Sequence, residues 1–401
     1  MGKHIQEVTL DGKFVSREVA TVKDITLLVK KDREIDIEVL QNFPIELLDE
    51  ELSSYLWVEG SRVLINSFLT IDNRKMDIVE KIGNISIIGI SERQNLILNF
   101  QEDSLIAEGT YRFTYNFLDM LFQMGKFSSY CLDNKFEHIL VETVCKLCNQ
   151  IPSKQFQYRL IKHQEDWLIR GVTSTRYQNY DNHLALYLTL YSLHKHAKQA
   201  SQWFVFEKAY ISDSEIVVMF DQINPINIID IGRLYFGVIL INNEIKERTF
   251  SLECRFRLED IEGNSFGAIP PEGKETIFTI RHDSGLDSVN TKLFELHNLQ
   301  SFKDRITDFI IDISKSPELS EDRIFSIFKK ILSTRNKFST DTRNSFKKLQ
   351  EEQVISNSLH IIKVFHRLNE LVTDVEEKIH LERIFYEVCL EIKDGKRRGS
   401  N

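Results

Sequence analysis

Proline and tryptophan are scarce in this chain, with six and three among 401 residues, and no apolar run is long. Few prolines leave regular elements uninterrupted and speak against a proline-rich, low-complexity chain. The longest apolar stretches, "NISIIGI" at 84–90 and "LYFGVILI" at 234–241, fall far short of the roughly 20 residues a membrane helix needs, so no membrane partner is expected. Five cysteines without framework spacing exclude a disulfide-stapled scaffold. The opening "MGKHIQEVTLDGKF" has no apolar core of the signal-peptide kind, so reduced thiols in a cytoplasmic protein are the expectation. A Walker loop, a G-x-S-x-G elbow and an H-E-x-x-H pair are also missing, which weakens the enzyme class without removing it. Against 51 Lys and Arg stand 60 Asp and Glu, a net charge of −9. That balance speaks against coating nucleic acid through the whole surface but leaves room for a local basic groove.

What the chain does have is a core: 42% hydrophobic residues, including 27 Phe, beside 28% charged ones. Residues 1–108 read as β-rich. "REIDIEVL" at 33–40 alternates, with Ile35, Ile37 and Val39 opposite Asp36 and Glu38, the period of a half-buried strand. "GNISIIGIS" and "QNLILNF" read as two further strands. Residues 109–286 form an α+β core. "TYNFLDMLFQMGK" at 114–126 spaces Phe117, Met120, Leu121 and Met124 as a helix with Gly125 as its stop. "KFEHILVETVCKLCNQIP" at 135–152 reads as a helix with Phe136, Ile139, Leu140, Val144 and Leu147 buried. "WLIRGVTS" is a strand, and Asp181 is placed to cap a helix over 181–200. "RTFSLECRFRL" at 248–258 is the cleanest strand, and "EGNSFGAIPPEGK" at 262–274 a loop. Residues 287–394 read as helical, with Ser320 opening one helix and two later helices carrying Leu359, Ile362, Phe365, Leu368 and then Ile379, Ile384, Val388. Residues 395–401 read as a frayed, flexible tail. Strands segregated from helices predict an α+β fold: a mostly antiparallel sheet body with packed helices and a helical C-terminal region.

The chemistry-bearing residues offer no catalytic constellation. Cys145 and Cys148 form a C-x-x-C without a second pair, inside an amphipathic helix, and are expected as packed thiols. His194 and His196 are two apart and suit a solvated helix end. The carboxylate groups Glu165–Asp166, Asp213 with Glu215, and Glu259–Asp260 read as solvated turns. No metal or cofactor is called for. The most informative stretch is "WLIRGVTSTRYQNYDNHLAL" at 167–186. Arg170, Arg176 and Tyr177 are placed to meet a phosphate and a stacked base. The competing arrangement pairs Arg176 with Asp181 and packs Tyr177 in a corner. Arg281 and His282 in "IRHDSG" would add charge to one site. Asn242, Asn243 and Glu244 in "INNEIKERTF" suit the polar tip of a turn between two strands.

Taken in order, these segments resemble the phage/plasmid-like family described as domain of unknown function 932. The family's arginine-bearing strand, S-x-x-Y turn and helix-opening D-N pair correspond to Arg170, Ser174, Tyr177, Asp181 and Asn182. Its later N-S-E-x-G corresponds to "INNEIKE", with Asn243 in place of the serine and Lys246 in place of the glycine. An R-H-x-G-like element corresponds to Arg281, His282 and Gly285, with one extra residue before the glycine. The resemblance spans about residues 110–315 and implies a mobile-element origin. The resulting expectation is a non-catalytic accessory protein that binds single-stranded nucleic acid as a homo-oligomer. Two alternatives stand beside it: a metal-dependent phosphodiester enzyme using Asp181 and Glu244, and an interaction protein docking through its C-terminal helices.

Overall fold

A computed structural model describes residues 4–49, 51–72, 74–245, 250–271, 276–280, 298–314, 321–333, 337–352 and 360–398. Arg281, His282, Gly285 and Ser320 lie outside them. The fold is α+β, with two mostly antiparallel sheets and a helical C-terminal region. No helix among the described residues is long and apolar enough to cross a membrane.

The larger sheet runs in the order β1 (Glu7–Asp11), β9 (Phe204–Ser212), β10 (Glu215–Gln222), β12 (Gly232–Asn243), β13 (Phe250–Asp260) and β14 (Ser265–Ala268). β2 (Val58–Glu59) joins β9 in parallel, β11 (Ile226–Ile228) joins β12, and β15 (Thr276–Ile280) joins β13. The smaller sheet runs β3 (Lys75–Lys81), β7 (Gln155–His163), β8 (Asp166–Thr173), β6 (Leu105–Gly109), β5 (Leu96–Phe100), β4 (Ile85–Ile90). Residues 1–108 therefore feed both sheets, and chain order is not spatial order.

Central strands of the larger sheet are buried on both faces, which accounts for unbroken apolar runs such as "GVILI". Ile216, Val218, Val238 and Leu240 face the main core, while Val217, Met219, Ile239 and Ile241 face a smaller cluster with Ile379. α6 (Asn182–Ala200) packs on the first face and is buried all round over most of its length, as a helix apolar on every side must be. The C-terminal helices α7 (Asn298–Ser314), α8 (Glu321–Ser333), α9 (Thr340–Glu352), α10 (His360–Glu370) and α11 (Val375–Arg398) add their apolar stripes to the same core. α9 falls inside the stretch expected as helical, though no separate helix was drawn there, and α11 continues to Arg398 through residues expected as a tail.

Several local expectations fail for identifiable reasons. Residues 34–42 form helix α1 (Glu34–Asn42), not a strand. Ile35 and Val39 lie four apart, so alternating residues also supply a helical stripe; Ile37 is left 46% exposed. Glu34 and Asp36 then sit favourably in the first turn. α2 (Ser61–Ile71) is a further helix in the stretch read as β-rich. α3 (Phe113–Phe122) ends on Gln123, left-handed at φ 58°, not on Gly125. Gly125 opens α4 (Gly125–Asp133), where a Cβ would strike the ring of Tyr115. In α5 (Glu137–Cys148) the buried stripe is Leu140, Val144 and Cys148, while Phe136 and Ile139 are exposed. β14 lies within the stretch expected as a loop.

Candidate functional site: a charged seam between the two sheets

The two apolar cores meet across a seam that is ionic. The start of β3 brings Lys75 and Asp77, with Asp72 just before it. β7 and β8 bring Arg159 and Arg170, the start of α6 brings Asp181 and Asn182, and the end of β12 leads to Glu244. Two features aim the arginines. Arg159 lies inside a strand among Tyr158, Leu160 and Ile161, all buried. Opposite it the β7–β8 ladder steps from Arg159↔Gly171 to Leu160↔Ile169, so Arg170 has no partner across the ladder. That bulge frees Arg170 to turn toward the seam.

The contacts are dense. Arg159 donates from Nη2 to both Asp181 oxygens (2.6 and 2.7 Å), from Nε to Asp77 (3.1 Å) and from Nη1 to the Glu244 carbonyl (2.7 Å). Lys75 Nζ bridges Glu244 (2.7 Å) and Asp72 (3.0 Å). Arg170 Nη1 pairs with the other Glu244 oxygen, and Lys30 pairs with Asp72. Arg33, at the mouth of α1, reaches Asp181 (2.6 Å) and Asp77 (3.4 Å). Five cations thus face four carboxylates: Lys30, Arg33, Lys75, Arg159 and Arg170 against Asp72, Asp77, Asp181 and Glu244.

Charge placement decides protonation. Burial alone would raise Asp181, but the guanidiniums of Arg159, Arg33 and Arg170 outweigh it and hold its carboxyl well below the usual range. Burial, and then the Asp181 charge, push Glu244 up; Lys75, Arg170 and Arg159 bring it below the ordinary value. Asp72, buried between Lys75 and Lys30, falls to about 2. All three are carboxylates at neutral pH. Removing one partner from such a set costs about 3–5 kcal/mol, because an unpaired buried charge remains.

Asp181 occupies the N-cap position of α6, but its side chain does not cap the helix. The role passes to Glu244, whose Oε1 accepts the Asn182 N–H at 2.9 Å. Asn242 Nδ2 donates to the Tyr180 carbonyl (3.0 Å) and to Asn182 Oδ1 (2.9 Å), and Asn243 Oδ1 accepts the Ile245 N–H (3.1 Å). Asn242, Asn243 and Glu244 are therefore buried, not the exposed tip of a turn. At the other end of the seam Asp213 accepts the Ile5 N–H at 3.2 Å and the Tyr111 hydroxyl. Tyr111 holds a left-handed φ of 56°, a strained conformation for a bulky residue. Asp213 and Glu215 are buried, contrary to the expected solvated turn.

The informative turn splits in two. Arg170, expected at a phosphate, is wholly buried in the ion network. Tyr177 is half-buried, its ring under Arg159 at 5.5 Å and its hydroxyl donating to the Glu244 carbonyl at 3.2 Å. Arg176 is exposed and is not the ion partner of Asp181, which belongs to Arg33 and Arg159. Asn179 ties the turn down through Asp77 (2.8 Å) and Gln157 (3.1 Å). Of the residues singled out in the sequence, Arg170, Tyr177, Asp181, Asn182 and Glu244 converge. Arg281 and His282 lie outside the described residues. Lys75, Arg159, Arg33 and Tyr111 were missed; an arginine in the middle of "QYRLI" was the one available signal.

Elsewhere, His194 is buried, not solvated. Its Nδ1 accepts the Trp57 N–H at 3.1 Å, and burial followed by Lys198 lowers it to about 4. Cys148 is buried and Cys145 half-buried on α5, both as free thiols. Among the described residues no group of three or more His, Cys, Asp or Glu is placed to hold a metal ion. No protein-family model matches the chain, and no curated protein or solved structure is significantly similar to it.

Proposed function

We propose that this is a non-catalytic nucleic-acid-binding protein that takes single-stranded substrate along the rim of the seam, as an oligomer. The observation that carries the reading is Arg176, an exposed cation on a turn pinned at Asn179 and Asp181 to three other segments. The loop bearing Lys31 and Arg33 meets that turn at Asp181, so Lys31, exposed and left-handed at φ 62°, belongs to the same rim. A turn whose backbone is already held loses little further entropy when its cation meets a phosphate. Arg170, Tyr177, Asp181, Asn182 and Glu244 carry the resemblance to the phage/plasmid-like family, and their convergence on one seam supports reading them as a unit. A mobile-element origin is part of this proposal.

The metal-dependent phosphodiester reading is disfavoured by saturation. Asp181 and Glu244 are each held by at least two cations, whereas a divalent ion needs carboxylates free to coordinate it. The test is anisotropy of a labelled single-stranded oligonucleotide of about 30 residues at low and moderate salt. Binding should fall steeply with salt, and Lys31→Ala with Arg176→Ala should flatten the slope by about two. A salt-independent signal, or a melting temperature raised by magnesium or manganese, would overturn the reading in favour of the alternatives.

A further inference from the structure

On the smaller sheet, remote from the rim, we infer that β4 is a strand-addition site for an extended, basic peptide. β4 ends its sheet and pairs only with β5, so among the described residues its outer edge is unpartnered. Proteins commonly protect such edges with charge, proline, a bulge or a covering element. The other edge of this sheet, β3, carries Lys75, Asp77, Glu80 and Lys81. The β14 edge of the larger sheet is packed against α10 and α11, and α5 packs beside β4 at its Ile90 end. β4 reads "ISIIGI", with neither charge nor proline.

Two features make the edge a receptor, beside a bulge at Ile88, where the β4–β5 ladder steps from Ile87↔Leu98 to Gly89↔Ile97, that bends the strand and leaves Ile88 51% exposed. Gly89 has open space where a Cβ would stand. Beside the strand end, α5 turns Leu140 and Val144 into the core and leaves a groove of about 600 Å³ lined by Ile90, Glu92, Glu137, His138, Val141 and Glu142. A strand laid there would gain main-chain hydrogen bonds from β4 and apolar contact from Ile88, Ile90 and Val141. The occupant's charge follows from the walls: three glutamates surround the apolar floor, and among the described residues only Glu142 has a cation partner, Lys146. A peptide with lysine or arginine at alternate positions complements them. A second copy of β4 would bring its own glutamates against these.

The test uses the full chain and a dye-labelled peptide alternating lysine and valine. Anisotropy should show saturable binding, and a glutamate-valine peptide of equal length should not bind. Charge reversal by Glu92→Lys with Glu137→Lys should weaken the lysine peptide about tenfold. The lysine peptide methylated on alternate backbone nitrogens keeps its charge but cannot complete the ladder, and should also bind about tenfold more weakly or worse. Equal binding of the methylated peptide would overturn strand addition. So would dimers in sedimentation whose formation excludes the peptide, since the edge would then belong to a second copy.

Discussion

Two buried ionic networks hold this molecule together, and they differ in how completely they are satisfied. Beneath α11, Arg255 of β13 gives Nε and Nη2 to the two Glu382 oxygens (2.9 and 2.8 Å), and Nη1 to Glu207 (2.6 Å) and Asp221 (3.0 Å). Every nitrogen of that guanidinium is engaged. At the seam, Arg170 is as deeply buried, yet among the described residues its Nε and Nη2 have no hydrogen-bond acceptor, and Asn182 Nδ2 and Asn242 Oδ1 have no partner. Both networks use a β-bulge: Glu207 is passed over in the β9–β10 ladder as Arg170 is in β7–β8. The saturated one attaches a helix to a sheet. The unsaturated one joins two sheets and lies against the turn that carries Tyr177 and the exposed Arg176.

The comparison is tested most severely at Arg255. Arg255→Leu leaves Glu382 buried without its cation, while Asp221 keeps Arg257 at 2.7 Å, and should cost about 3–5 kcal/mol in urea unfolding. Gly267 abuts the same pair, with no room for a Cβ beside Arg255 and Glu382, so Gly267→Val should also loosen α11. An Arg255→Leu chain that unfolds like the parent would show that this network does not hold the helix.

At the seam, Glu244→Gln keeps the shape and removes the charge. Lys75 retains Asp72 and the amide oxygen can still accept from Arg170, whose other carboxylate, Asp181, stands at 3.9 Å, so the expected loss is at the low end, about 3 kcal/mol at neutral pH. The sign with acid follows from the shifts. Asp181 and Glu244 titrate below their unfolded values of about 4, so their stabilisation is complete above that pH and is lost as pH falls through the folded values. Under α11 the signs are mixed. Glu207 falls to about 2, but burial and then Glu207 raise Asp221, which therefore favours the folded state more as pH drops. Hydrogen exchange below about pH 4 should accelerate in the first turn of α6 before β13. The reverse order would break the distinction between the networks.

How much of this could be read from the sequence depends on the range of the interactions. The α+β class and β13 were legible because Phe250, Leu252, Cys254, Phe256 and Leu258 alternate against polar neighbours, a local signal. α1 was misread because two periods share Ile35 and Val39. Asp181, Asn182 and Glu244 stood out as polar residues at the ends of apolar elements. Their partners did not: Arg33 is 148 positions from Asp181, and Lys75 is 169 from Glu244. Only the register of separate strands brings those together. Burial was illegible for the same reason, so Arg170 looked like a surface contact when it is an internal counter-ion.

Tyr177 sharpens the boundary between seam and rim. Tyr177→Phe removes the bond to the Glu244 carbonyl and leaves the ring under Arg159, so it should cost about 0.5–1.5 kcal/mol in unfolding. Because the ring is already engaged, base stacking there is a minor contribution, and the substitution should leave nucleic-acid affinity nearly unchanged.

The smallest stability effect is expected one residue earlier. Arg176 is exposed, and the ion partners of Asp181 lie elsewhere, so Arg176→Ala should shift unfolding by no more than about 0.5 kcal/mol. The same substitution should weaken single-stranded nucleic acid and reduce the salt slope by about one, the loss of a single phosphate contact. Arg176 and Tyr177 are adjacent in sequence but separate in these two assays: one moves binding without stability, the other stability without binding. A melting curve lowered by Arg176→Ala with an unchanged titration would place Arg176 inside the structural network and remove the rim from the functional reading.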